Sequence, residues 1–276
     1  MSPQAIDFKP SEAAQWKTLL PVAFISHGSP MVALERGPYA EALEKFGRSL
    51  NPAAILAISA HWEESLGIRI AAAQRPKLIY DFGGFPAPLY QLKYDAPGSP
   101  PLAMEVEDAL RESGLLASLD LQRGWDHGVW IPLRLMFPEA RVPVVQISLP
   151  MCSKPEQLFK VGDTLAQFRK KNVLILGSGG VVHNVGQFRP DCKDGPINGW
   201  ASDFEIWVKD AIRRQDYAAL MNYSRQAPHA SLAVPTSEHF APIFVVLGAA
   251  QPYKKVESIF DGFQYGNISM HSFALQ

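Results

Sequence analysis

The chain has 276 residues, 47% hydrophobic and 19% charged, the composition of an ordinary compact globule with room for a sizeable core. Its 26 basic and 27 acidic residues give a formal charge of -1 with no run of one sign, which argues against nucleic acid and anionic membranes as partners. The longest apolar runs fall far short of the roughly 20 residues that span a bilayer, the first residues lack the basic lead and apolar stretch of a secretory leader, and Cys152 and Cys192 are too few for a disulfide framework, so a cytoplasmic location is expected.

Short, nearly all-apolar runs alternate with segments of helical period. Strands are predicted over 22–26, 54–59, 68–72, 142–148 and 172–176, with two late ones near 255–260 and 268–273. Helices are predicted over 39–46, 102–113, 155–170, 203–213, 217–223 and 241–249. This order implies an α/β fold with a central, largely parallel sheet covered by helices on both faces. No repeat or linker divides the chain, so a single domain over 1–276 is expected. The Gly/Pro/aromatic stretch 75–101 is too long for an idle connection and is expected to be functional.

Four histidines stand where an apolar run breaks into a polar turn: Ser26-His27-Gly28-Ser29-Pro30, Ser59-Ala60-His61-Trp62, Gly179-Gly180-Val181-Val182-His183-Asn184 and Glu238-His239-Phe240. His27, His61 and His183 follow predicted strands, at the carboxyl ends where open α/β sheets form their ligand crevice. His239 opens a helix, with Thr236 or Ser237 in position to cap it. Any one histidine is ordinarily a hydrogen-bonded core or surface residue, but four at such mouths point to a divalent metal with open positions for chemistry. His229 and His271 lack these settings and are read as structural.

In Trp125-Asp126-His127-Gly128-Val129-Trp130 the aromatic residues either pack the core or wall a pocket in which His127 meets the substrate, and the sequence leaves both open. Tyr80, Phe82, Phe85 and Tyr90 are further candidates for enclosing a flat ring. Gly177-Ser178-Gly179-Gly180 is neither a dinucleotide loop, since Val182 stands at the third glycine, nor a nucleophile elbow, since Leu176 stands two residues before the serine. Its glycines are expected to let the backbone pass close to the metal and to free His183 of neighbours. Glu63 and Glu64 are read as solvated rather than catalytic.

Together with Tyr80-Asp81-Phe82-Gly83-Gly84-Phe85-Pro86, these motifs occur in the order found in class III extradiol ring-cleavage dioxygenases of the 4,5-DOPA dioxygenase extradiol-like kind, which the chain resembles from about residue 21 to about 249. The resemblance implies one divalent metal held by His27, His61 and His239. His183 is implied either as a fourth ligand, with Zn(II) in the site, or as acid/base, with Fe(II), and His127 is implied near the substrate. Because related oxygenases use two histidines and a carboxylate, Glu238 is the rival third ligand. Many relatives carry histidine in an Ala-His-Pro where this chain has Ala233-Val234-Pro235.

The activity implied is insertion of O2 into a catechol, DOPA-like catechols included, with cleavage outside the diol to a muconic semialdehyde-type product. An imidazole with a pKa near 6.5 can remove a catechol proton and return one later, the role expected of His183. Two rival functions are a zinc-dependent hydrolase on the same ligands and a non-catalytic small-molecule-binding protein on the same scaffold.

Overall fold

A strand without a polar face has to be covered on both sides, and the apolar runs accordingly meet in the middle of one sheet. The computed structural model describes residues 19–190 and 192–276. Its strands are β1 (Val22–Ser26), β2 (Ala54–Glu64), β3 (Ile68–Ala71), β4 (Ala117–Asp120), β5 (Val144–Pro150), β6 (Val173–Gly179), β7 (Val256–Phe260), β8 (Phe263–Gln264), β9 (Ile268–Ser269) and β10 (Ser272–Leu275). Eight of them form one sheet in the order β4-β3-β5-β2-β6-β1-β10-β7, while β8 and β9 make a separate hairpin. The central β5, β2, β6 and β1 are parallel. On one side β10 and β7 run antiparallel; on the other, β3 and β4 are parallel to each other and antiparallel to β5.

The helices are α1 (Pro38–Arg48), α2 (Pro100–Glu112), α3 (His127–Met136), α4 (Pro155–Leu165), α5 (Gly199–Arg213), α6 (Tyr217–Met221), α7 (Tyr223–Gln226), α8 (Ala230–Ala233) and α9 (Pro242–Ala250). Strand side chains alternate between two cores even though nearly all are apolar. Phe24, Leu56, Val145 and Ile175 join residues of α2, α4, α5 and α9 on one face. Ile25, Ala57, Val144 and Leu176 join residues of α1 and α3 on the other. The result is a single α/β domain with a mostly parallel sheet between helical layers. No helix among the described residues is long and apolar enough to cross a membrane.

Departures from the sequence reading have local causes. β2 continues to Glu64 because it bulges rather than ends, its register against β5 shifting between Ile58 and Glu63. α3 was not foreseen, since Pro132 lies inside it and breaks the helical signature. β4 is too short to show a period. The segment 155–170 is α-helical only to Leu165 and then tightens into a 3-10 turn ending at Asn172, with φ 58°. The segment 217–223 splits into α6 and α7.

Candidate metal centre

His27 follows β1 directly, and its amide donates to the Gly179 carbonyl at 3.1 Å, pinning the turn to the end of β6. His61 lies inside β2 rather than after it, in the bulge, with its amide donating to Ser59 Oγ at 3.2 Å. His239 stands in the turn ahead of α9, where the Gly180 amide donates to its carbonyl at 2.8 Å. This close approach requires glycine at 179: a Cβ there would lie 2.1 Å from the His239 carbonyl oxygen. The expected side-chain cap is absent. Thr236 Oγ1 donates instead to Glu238 Oε1 at 2.8 Å, and it is the backbone carbonyl of Ser237 that accepts from Phe240 and Ala241.

The three rings converge. Ligand atoms of His27, His61 and His239 all lie within 4.8 Å of one another, and the Nε2 atoms of His27 and His61 are 3.1 Å apart. Behind each ring a different acceptor holds Nδ1. Ser178 Oγ is 2.9 Å from His27 Nδ1 and gives its own proton to the Gly128 carbonyl, so it can only accept from the ring. Asp81 Oδ2 is 3.3 Å from His61 Nδ1, and Glu238 Oε1 is 3.0 Å from His239 Nδ1. Each Nδ1 thus carries the proton, and each Nε2 lone pair faces the common point. Among the described residues His239 Nε2 is buried without a hydrogen-bond partner, a cost that a bound cation removes.

The electrostatics favour neutral rings. Burial, followed by the neighbouring imidazoles, holds His27 well below the usual histidine range and His61 down to about 2. Glu238 is held at about 2, chiefly by its hydrogen bond with His239. Burial pushes Asp81 upward, but its bonds to His127 and the charges of His127 and His61 outweigh this and keep it at about 2. Neutral imidazoles backed by anionic carboxylates form a donor set suited to a divalent transition-metal ion.

Residues 21–275 match the family model of the catalytic LigB subunit of aromatic ring-opening dioxygenase. The chain belongs to the LigB family of extradiol ring-opening dioxygenases. A 4,5-DOPA dioxygenase extradiol of Beta vulgaris is 41% identical over 255 residues, covering 91% of this chain and 94% of that protein. A protein of the same name from Escherichia coli K12 is 36% identical over 260 residues, covering 92% of this chain and 94% of its own. Among solved structures, the crystal structure of an uncharacterized protein from Escherichia coli K12 matches with a TM-score of 0.80 at 31% identity, covering 93% of this chain and 99% of that one.

In this LigB-family chain a cavity of about 570 Å³ opens over the three rings, and His127 and His183 also line it. His183 lies flat on His239, with ring centroids 3.6 Å apart and planes 6° from parallel. The in-plane lone pairs of two stacked rings run in separate, parallel planes. Burial, then His239, pushes His183 down to about 3. His127 begins α3, and Asp81 Oδ1 accepts from both its amide, at 2.9 Å, and its Nδ1, at 3.0 Å, which satisfies one of the free donors of the helix N-terminus.

Of the aromatic candidates, Phe82 and Phe85 line the cavity, whereas Tyr80, Tyr90, Trp125 and Trp130 do not. Trp125 and Trp130 are fully buried, and Trp130 supports the wall from behind, 5.6 Å from Tyr80, whose hydroxyl donates to the Leu92 carbonyl. Phe188 and Tyr265 line the cavity and were not singled out from the sequence. Asp81 was visible only as a letter within a motif, and Ser178 only as a failed nucleophile. Their signal is the shared hydrogen bonding of side chains far apart in the chain. His229 pairs with exposed Asp203, and His271 is buried at the start of β10. Glu64 accepts from Trp62 Nε1 at 2.8 Å.

Proposed function

We propose that this chain opens a catechol ring outside the diol, with one Fe(II) ion held by His27, His61 and His239 and with His183 as acid/base, giving a muconic semialdehyde-type product. The observation that carries the reading is the common orientation of three imidazoles, each with Nδ1 bonded behind and Nε2 turned inward. A bound Fe(II) supplies the Lewis acidity that favours the catecholate and the electron density that O2 requires. The histidines themselves carry no charge to offset that of the ion, which favours an anionic diolate as substrate.

The surrounding residues have separate tasks. His183, on the cavity wall beside the ligand set, takes a hydroxyl proton from the catechol and returns it to the departing oxygen. His127, with Nδ1 held by Asp81, presents Nε2 to a substrate oxygen and fixes the ring's rotation. Phe82 and Phe85, their rings 5.5 Å apart and at 86° to one another, flank the aromatic ring. Glu238 supports His239 from behind instead of serving as a ligand, since Oε1 accepts from both His239 and Thr236.

The test is anaerobic loading with Fe(II) or, separately, Zn(II), followed by oxygen and a catechol, with DOPA first because relatives carry that name. Oxygen uptake with a yellow ring-opened product is expected for Fe(II) alone. Absence of uptake with either metal across a panel of catechols would overturn the reading.

A further inference from the structure

The cavity lining is of two kinds. Five histidines and Asp81 are the only ionisable side chains among its described lining apart from the phenol of Tyr265. Most of the remaining side chains are apolar, Met31, Phe82, Phe85, Val185, Phe188 and Ile268 among them. No lysine or arginine occurs in the described lining. Arg189 lies between the lining residues Phe188 and Pro190, but it is exposed and its Cδ packs toward Gly266. At about 570 Å³ the space lies within the range of pockets that enclose drug-sized ligands, so a single diol ring leaves much of it to a ring substituent.

Resting on the reading of the site as a catechol dioxygenase, we propose that the preferred substrate bears a neutral, apolar substituent and that a substituent ending in a carboxylate is disfavoured. An alkyl or aryl group exchanges water for Met31, Phe82, Phe85 and Phe188, a gain of about fourfold in affinity for each methylene fully taken from water. A carboxylate in the same place loses hydration and meets no cationic side chain in the described lining, while Asp81 in that lining repels it. An amino-acid tail carries the same carboxylate and adds an ammonium that must also leave water. DOPA is therefore a poorer substrate for this chain than a neutral catechol of equal length.

The test ranks kcat/KM on the Fe(II)-loaded protein for catechol, its ethyl, propyl and butyl derivatives, dihydrocaffeate and DOPA. Rates are expected to rise along the alkyl series by up to about fourfold per methylene. Dihydrocaffeate is expected at least about tenfold below the butyl compound of matching length. The Val185→Lys variant, at a rim position that is 64% exposed, is expected to raise the dihydrocaffeate-to-butyl ratio by about tenfold through KM. Equal or better turnover of dihydrocaffeate by the unaltered protein, or a flat alkyl series, would overturn the preference while leaving ring cleavage intact. If no catechol is turned over, the cleavage reading falls instead. The preference is then decided by anaerobic binding of the same compounds, where tighter binding of dihydrocaffeate than of the butyl derivative refutes it.

Discussion

Pro132 has no amide proton to give the Gly128 carbonyl, one turn earlier in α3. The Ser178 hydroxyl supplies it from the end of β6, and in doing so can only accept from His27 Nδ1. A proline inside a helix thus fixes the tautomer of an imidazole just past the end of β1, and that tautomer leaves Nε2 bare toward His61. The link runs from a local backbone defect to the donor set without passing through any residue that touches substrate.

Ser178→Ala breaks both bonds. The buried Gly128 carbonyl loses a donor, at a cost of about 1–3 kcal/mol, and His27 is free to take the other tautomer, which lowers metal affinity by about 10–100-fold. Adding Pro132→Ala returns an amide donor to Gly128, so the double variant recovers stability and not affinity. Denaturant unfolding and competitive metal titration read the two effects separately. A double variant that regains both would show that the hydroxyl serves the helix alone.

His27→Ala, His61→Ala and His239→Ala each abolish stoichiometric binding of a divalent ion. Glu238→Gln retains it, because the amide oxygen still accepts from His239 Nδ1 and only the charge is lost. Metal content after dialysis decides between the two candidates for the third ligand. Full occupancy in His239→Ala together with loss in Glu238→Gln would make Glu238 the ligand.

The metal-stripped protein loses stability as pH falls from 7 to 5. His27, His61 and His183 are held below the ordinary value of 6.5, first by burial and then by neighbouring imidazoles, His127 and His239 among them, and His271 is brought to about 4, first by burial and then by Lys209. The unfolded chain therefore takes up protons near 6.5 while the folded chain does not until about 4 or lower. Stability is complete above 6.5 and declines below it, by up to about 1.4 kcal/mol per pH unit for each such histidine. Asp81 and Glu238, held near 2, act in the same direction, but only below their ordinary values of 3.8 and 4.5. Denaturant midpoints at pH 7 and 5.5 isolate the histidine contribution, and equal midpoints would contradict the neutral cluster.

The histidines were legible in the sequence because each terminates or interrupts an apolar run, and strand ends of a parallel sheet share one rim. The sheet's middle was legible for the same reason. Trp125 and Trp130 were not, since a buried aromatic behind a wall and one lining it have the same letters around them. α3 was hidden by Pro132, although that proline is what frees Gly128 for Ser178. The partners of Nδ1 were hidden by distance: Ser178 is 151 residues from His27, and only the parallel pairing of β1 with β6 brings them together.

Asp81 holds two histidines with one carboxylate, and its amide analogue separates them. Oδ1 accepts twice, from the amide and from Nδ1 of His127, while Oδ2 faces His61 Nδ1 alone at 3.3 Å. In Asp81→Asn the single remaining oxygen is drawn to the side with two donors, which leaves the NH2 group facing His61. Donor then meets donor, and His61 must shift its proton to Nε2, the nitrogen 3.1 Å from His27 Nε2. That removes a lone pair from the ligand set and keeps the start of α3 bonded. The expected result is metal affinity down by about 10–100-fold with unfolding stability within about 1 kcal/mol of the unaltered protein. Asp81→Ala, which frees the α3 amide as well, loses both. Metal titration together with thermal unfolding of the two variants distinguishes orientation from support, and an Asn variant that binds metal as tightly as the parent would show that Asp81 does not set the His61 proton.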